Sequence, residues 1–435
     1  MAIFNSANAS YQTHNKTLFE AVVLADPFGN IIGPANPSGM AVDAFGRARI
    51  STPFTMFDSS HRYRDNNLWS TSNTATTTYT HNANSGTVQL NLDTTADAEI
   101  VRETTKVFSY QPGKSLLVLN TVVFQAPKAN LRQRVGYFGA QNGIYLEVDG
   151  LNVYLVKRSY VTGVVIETRI AKADWNIDPL DGTGASNIIL DVSKAQILFT
   201  DIEWLGLGTV RCGFVIDGRF IHVHSFHHAN RIDSTYITTA SLPCRYEIKN
   251  IGATASNSTM GQVCTSVISE GGYELRGLQQ AISIPITGPK DLPTAGTFYP
   301  VVSIRLKSSP DRLDAIAIIT ALSILGFTNN ANYNWQLRSS STTGGGTWTS
   351  AGVDSAVEYN ITGTSTSGGR ILASGYMSGS NQGSTVVDIL KEALFKQQLE
   401  RNGLTSTPYE ISLVAAASTN GADILASLDW EEITR

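Results

Sequence analysis

The chain has 435 residues, 42% of them hydrophobic and only 16% charged, with a formal net charge of −4. That length exceeds one ordinary domain and supplies apolar mass for more than one core. No run of Lys or Arg offers a footprint for a phosphate backbone, and no apolar stretch of about 20 residues suits a membrane helix. The start, MAIFNSANAS, lacks the basic and apolar regions of a secretory signal, so Sec-type export is not expected. Cys212, Cys244 and Cys264 are three at wide spacing. They predict reduced thiols made in a reducing cytoplasm, not a zinc ribbon or a disulfide framework.

Residues 1–65 alternate short apolar pieces with breakers such as Pro27-Phe28-Gly29-Asn30 and Gly33-Pro34-Ala35-Asn36-Pro37. No apolar period lasts long enough to close a core. Yet the segment carries many aromatics, Phe4, Tyr11, Phe19, Phe28 and Phe45 among them, unlike a disordered tail. It reads as an extended arm that lies on another molecule or domain. Arg47, Arg49, Phe54, Phe57, His61, Arg62 and Tyr63 are its candidate interface residues, because Arg and Tyr favour interfaces and Arg pairs bidentately with carboxylates.

Residues 66–274 are dense in strand signals. Ile144–Val148 and Leu151–Val156 flank Asp149-Gly150, and Phe214–Ile216 and Phe220–Val223 flank Asp217-Gly218. Asp-Gly between β-rich runs predicts a hairpin whose two turn residues both take positive φ. Short strands without intervening amphipathic helices predict a jelly-roll, lectin-like sandwich. Gly271-Gly272 marks passage into a second β-sandwich, 275–435. In that domain one helix is predicted near 386–402, with Thr385 as its cap and Gly403 as its end. The expected fold is therefore all-β: two sandwiches, an N-terminal arm and one helix.

Two stretches carry a resemblance. Asp43–Tyr63, with its Phe45-Gly46-Arg47-Ala48-Arg49-Ile50-Ser51-Thr52-Pro53-Phe54 core, resembles a segment of virion proteins from tailed bacteriophages, aquatic ones particularly. Lys194–Phe220, with Asp201-Ile202-Glu203-Trp204-Leu205-Gly206 and Arg211–Gly218, is similar to a later block of the same proteins. The first block is the more specific, and both lie in the first three-fifths of the chain. The resemblance implies a structural component of the particle. Tail fibre, baseplate, collar and head decoration all remain open as its place. Its implied partners are copies of itself, as a trimer or higher homo-oligomer, and other virion proteins, with host-surface glycans as a further contact.

His222, His224, His227 and His228 put four imidazoles in seven residues. On a strand His222 and His224 share a face and are the candidate metal ligands; the plainer reading is a half-exposed strand. Asp174, Asp178 and Asp181 form an acidic loop that suits either Ca²⁺ or a set of turns. Gly206-Leu-Gly208-Thr-Val-Arg211 lacks the last glycine and the helix of a dinucleotide site, so it reads as a turn. There is no Walker motif, no Gly-x-Ser-x-Gly and no His-Glu-x-x-His. No catalytic residue and no cofactor is expected. Trp348, beside Gly344-Gly345-Gly346, is the candidate sugar-contact residue, whereas Trp on a sandwich strand is usually core. A carbohydrate-binding module is the rival reading.

Overall fold

The computed structural model describes residues 52–274, 276–379 and 397–434, together with the backbone of 24–25, 31–32 and 385–388. Met1–Thr52 forms a unit of its own, in which Leu24–Ala25 pairs antiparallel with Ile31–Ile32. Pro53–Arg435 forms the second unit. Its sheets are antiparallel, and a 3₁₀ turn spans Lys172–Asp174.

Two sheets make the first sandwich. One has seven strands, ordered in space Ile166–Ala171, Asn152–Ser159, Gly143–Asp149, Leu131–Phe138, Cys244–Asn250, Glu99–Thr104, Trp69–Asn73. The other runs Arg219–Phe226, Val210–Ile216, Ala195–Ile202, Leu116–Val123, Ser258–Ser269, Thr87–Leu92, Thr78–Asn82. Its eighth strand, Phe54–Ser60, pairs with Ser258–Ser269. Alternation fixes which face is buried. Leu116, Val118 and Val122 enter the core, as do Val88, Leu90 and Leu92 from their strand. The first strand corrects the arm boundary. Phe57 lies 4.9 Å from Phe108 and Phe54 lies 6.3 Å from Tyr273, ring centre to ring centre, so residues 54–60 belong to the body.

Both predicted hairpins form, with one turn displaced. Ile216 pairs with Arg219, and the two residues between, Asp217 (φ 51°) and Gly218 (φ 74°), both take positive φ as expected. In the other, Asp149 pairs with Asn152, so the turn is Gly150-Leu151 and only Gly150 is left-handed (φ 60°).

The second sandwich stacks two further sheets. One orders Leu278–Ser283, Ala422–Thr434, Ile316–Gly326 and Thr385–Asp388, with Lys290–Leu292 also on Ala422–Thr434. The other orders Thr349–Ser350, Val357–Asn360, Tyr299–Leu306, Glu410–Ala417, Asn332–Gly344 and Ser365–Ser378. Trp335 and Trp430 lie in its core. The helix expected over 386–402 is overturned wherever that stretch is described. Val386 and Val387 pair with Ser323 and Leu322 as a strand, as their β-branching favours. Gln398 bridges Ile318, and Arg401–Asn402 pairs with Thr407–Pro408. Residues 389–396 lie outside the described residues.

The extended backbone at 398–401 joins the two sandwiches. Leu399 N–H donates to the Ala317 carbonyl (2.9 Å) and Arg401 N–H to that of Thr105 (3.0 Å). Gln398 Nε2 donates to the Val107 carbonyl at 2.8 Å. Ile316 and Ile318, from the second sandwich, are part of the first core. Arg401 is the centre of the joint. Its Nη2 lies 2.9 Å from both Glu103 and Asp314, and its Nη1 donates to the Thr104 carbonyl at 2.8 Å. Burial pushes the Glu103 carboxyl upward, against the opposing pull of Arg401 and Arg245. Removing one partner of a buried pair leaves the other charge uncompensated, which costs about 3–5 kcal/mol. Arg401→Met is therefore expected to lower unfolding stability by about that amount. Chemical denaturation checks this, and Arg401→Met with Glu103→Gln should recover part of the loss.

Candidate functional site

The outer face of the seven-stranded sheet carries a charged lattice. Arg134 stands directly opposite Glu147 on one neighbouring strand and Glu247 on the other. Its guanidinium lies 2.6 Å from the first carboxylate and 3.2 Å from the second. Glu167 takes Arg158 at 2.7 Å, and Arg169 reaches Glu147 and Asp149 at 2.6 Å each. Arg158 lies over the rings of Tyr145 and Phe138, at 5.1 and 5.4 Å. Every charge here has an opposite charge across a strand, so the lattice is a closed network and offers no free ligand group.

The open site lies on the other sheet. Along Ala195–Ile202, Leu198 and Ile202 enter the core, so Phe199 and Asp201 face away from it. Phe199 is covered by Phe220, ring centres 5.1 Å apart. Asp201 is 6% exposed and ion-paired with Arg211, its register partner on the next strand. Burial raises the Asp201 carboxyl, with Arg211 opposing and Glu270 and Glu203 adding to the rise. Beside Asp201 opens a cavity of about 470 Å³, lined also by Tyr110, Lys114, Glu203 and Arg211. Glu203 Oε2 accepts the Thr209 N–H at 3.2 Å. Tyr110 crosses Trp204 edge to face, ring centres 5.9 Å apart. At the opposite end of the strand an apolar groove of about 510 Å³ is lined by Ile188, Ile189, Ile197 and Val215.

The expected metal pair is not assembled. A register shift opposite Cys212/Gly213 pairs His224 with Cys212 and His222 with Gly213, so the two imidazoles take opposite faces. His224 Nδ1 accepts the Asn176 N–H at 3.2 Å, and its ring meets Phe226 edge to face. His222 Nε2 lies 2.9 Å from Ser225 Oγ. His228 stacks on Tyr236 at 3.9 Å, with Nδ1 2.6 Å from the Gly208 carbonyl. Among the described residues no three His, Cys, Asp or Glu side chains come together as metal ligands.

The acidic loop is a set of turns. Asp178 accepts from the N–H groups of Leu180 (2.9 Å) and Ser186 (2.8 Å), and Asp181 from Thr183 N–H at 2.9 Å. Gly184 is required there, because an added Cβ would sit 2.1 Å from Asp178 Oδ1.

Of the arm candidates, Arg47 and Arg49 lie outside the described residues. Phe57 and His61 are buried within the body, and Phe54 packs against its core, which removes these three from an arm interface. Arg62 and Tyr63 are exposed, Tyr63 by 86%. Trp348 is half-buried, and the Arg305 guanidinium lies 3.9 Å over its ring, held by Glu358 at 2.6 Å. One face of that indole is thus already covered. Nothing in the sequence pattern marks the Asp201–Glu203 cavity, because Asp201 is on the strand and Glu203 lies just past its end. Its cations, Lys114 and Arg211, arrive through pairing.

No family model and no curated relative matches the chain. Among solved structures, the Bacillus licheniformis β-glucanase is 11% identical at TM-score 0.33, covering 48% of this chain and 96% of its own. The Emp47p carbohydrate recognition domain is 11% identical at TM-score 0.32, covering 53% and 99%. The CBM2 module of the Lactobacillus casei BL23 phage J-1 evolved Dit is 6% identical at TM-score 0.33, covering 52% and 100%. Scores this low carry no statement about the chemistry of this chain.

His61, His224 and His228 are each held at a pKa of about 4, chiefly by burial, which disfavours the charged ring. Unfolded histidines titrate near 6.5. Between these values the unfolded chain binds protons that the folded chain does not, so stability falls as pH drops from about 6.5 towards 4. Thermal melts across that window should show a falling midpoint, with a shallower fall in His228→Gln.

Proposed function

We propose that this protein is a structural component of a bacteriophage virion, tail-associated, assembling with copies of itself and with other virion proteins. The observation that carries the assembly reading is the edge strand Ser365–Ser378. It runs fourteen residues, pairs on one side with Asn332–Gly344, and is exposed or half-exposed throughout. Arg370 is its only charged residue, and it has no proline. Ile371 is 52% and Tyr376 82% exposed. Monomeric β-proteins protect edges with Lys, Pro or short length; the bulge at Leu372 is the one such device here. A long edge with a single charge suits strand addition between subunits. The resemblance of Asp43–Tyr63 and Lys194–Phe220 to phage virion proteins supports the same reading.

Ile371→Lys with Tyr376→Lys changes exposed groups only, so the fold should survive within about 0.5 kcal/mol. Light scattering on the purified chain should show the wild type as an oligomer and the double variant as a smaller species. Equal masses would remove the edge from the interface. Deleting residues 1–52 leaves every strand of the body in place and should yield folded protein that fails to enter particles. Normal incorporation would sink the arm's role, and recovery with heads instead of tails would move the protein to the capsid.

A further inference from the structure

We propose that the cavity beside Asp201 binds a neutral saccharide. It goes beyond the assembly reading above, and binding by the purified chain tests it apart from incorporation into any particle.

Three observations converge. First, the lining is balanced: Asp201, paired with Arg211, and Glu203 share a cavity of about 470 Å³ with Lys114. That volume falls within the ~300–1,000 Å³ of small-molecule sites. Two anions against two cations repel neither sign overall, so the site suits an uncharged ligand rich in both donors and acceptors. Sugar hydroxyls fit, because each donates to a carboxylate and accepts from a guanidinium or ammonium.

Second, Tyr110 in the lining, and Trp204 and Tyr236 outside it, carry buried polar atoms without partners. Tyr110, 9% exposed and lining the cavity, sits among the backbone amides of Gly113, Trp204 and Leu205 without an aligned hydrogen bond. Tyr236, 3% exposed and electrostatically coupled to Tyr110 and Glu203, has an unpartnered hydroxyl, and Trp204 Nε1 is unpartnered as well. Buried polar atoms are rarely left so. Third, Asp201 is buried in the lining against Arg211, its register and ion-pair partner. A side chain serving the fold alone would cost less there as an apolar residue.

The test is binding by the full-length chain to an array of neutral hexose and N-acetylhexosamine oligosaccharides. Sialylated glycans serve as the anionic arm and phosphocholine as the zwitterionic one. Trp204 fluorescence follows titration of any hit. A neutral glycan should bind, and Glu203→Gln and Tyr110→Phe should each weaken it about tenfold or more, the loss of a hydrogen bond to a buried or charged group. Both variants should keep the wild-type melting temperature, and a variant that does not is replaced by Lys114→Met. No neutral glycan bound at millimolar concentration, preference for the charged probes, or affinity unchanged by the substitutions would each overturn the proposal.

Discussion

The two sandwiches share one guanidinium. Arg401 comes from a segment between strands of the second sandwich, yet it closes on Glu103 and the Thr104 carbonyl of the first. With Glu103 3% exposed, neither charge can be left alone there. Everything nearby conforms to that pairing. The chain at 398–401 must be extended for its amides to reach Ala317 and Thr105, and Ile316 and Ile318 must enter the first core. A helix over the same residues would have kept those amides for its own carbonyls.

Antiparallel register does a second job on the outer faces. On the seven-stranded sheet it sets Arg134 between Glu147 and Glu247, so the charges satisfy one another and the face is closed. On the eight-stranded sheet it sets Asp201 against Arg211, but Glu203 lies beyond the strand end, opposite the uncharged Thr209. The cavity opens where the ladder stops.

Much of the architecture was legible in the order of residues. The β-rich runs on either side of Asp149-Gly150 and Asp217-Gly218 announced strands and hairpins through local rules. The arm was read as running to 65, whereas Phe54–Ser60 is a sheet strand. Phe57 does pack in the core and Phe54 against it, but whether the covering surface belonged to the same chain was a long-range fact, set by residues 264–269.

The sequence by itself determined the class of secondary structure and most strand positions, because alternation and turn chemistry act between residues a few places apart. Only the tertiary structure decided the face of each histidine, the extended path through 398–401 and the pairing of Asp201 with Arg211. A single bulged residue turns His222 away from His224, and no local pattern marks where a bulge falls. Contacts such as Arg401 with Glu103 depend on partners about 300 positions apart, and a property of two distant segments is carried by neither alone.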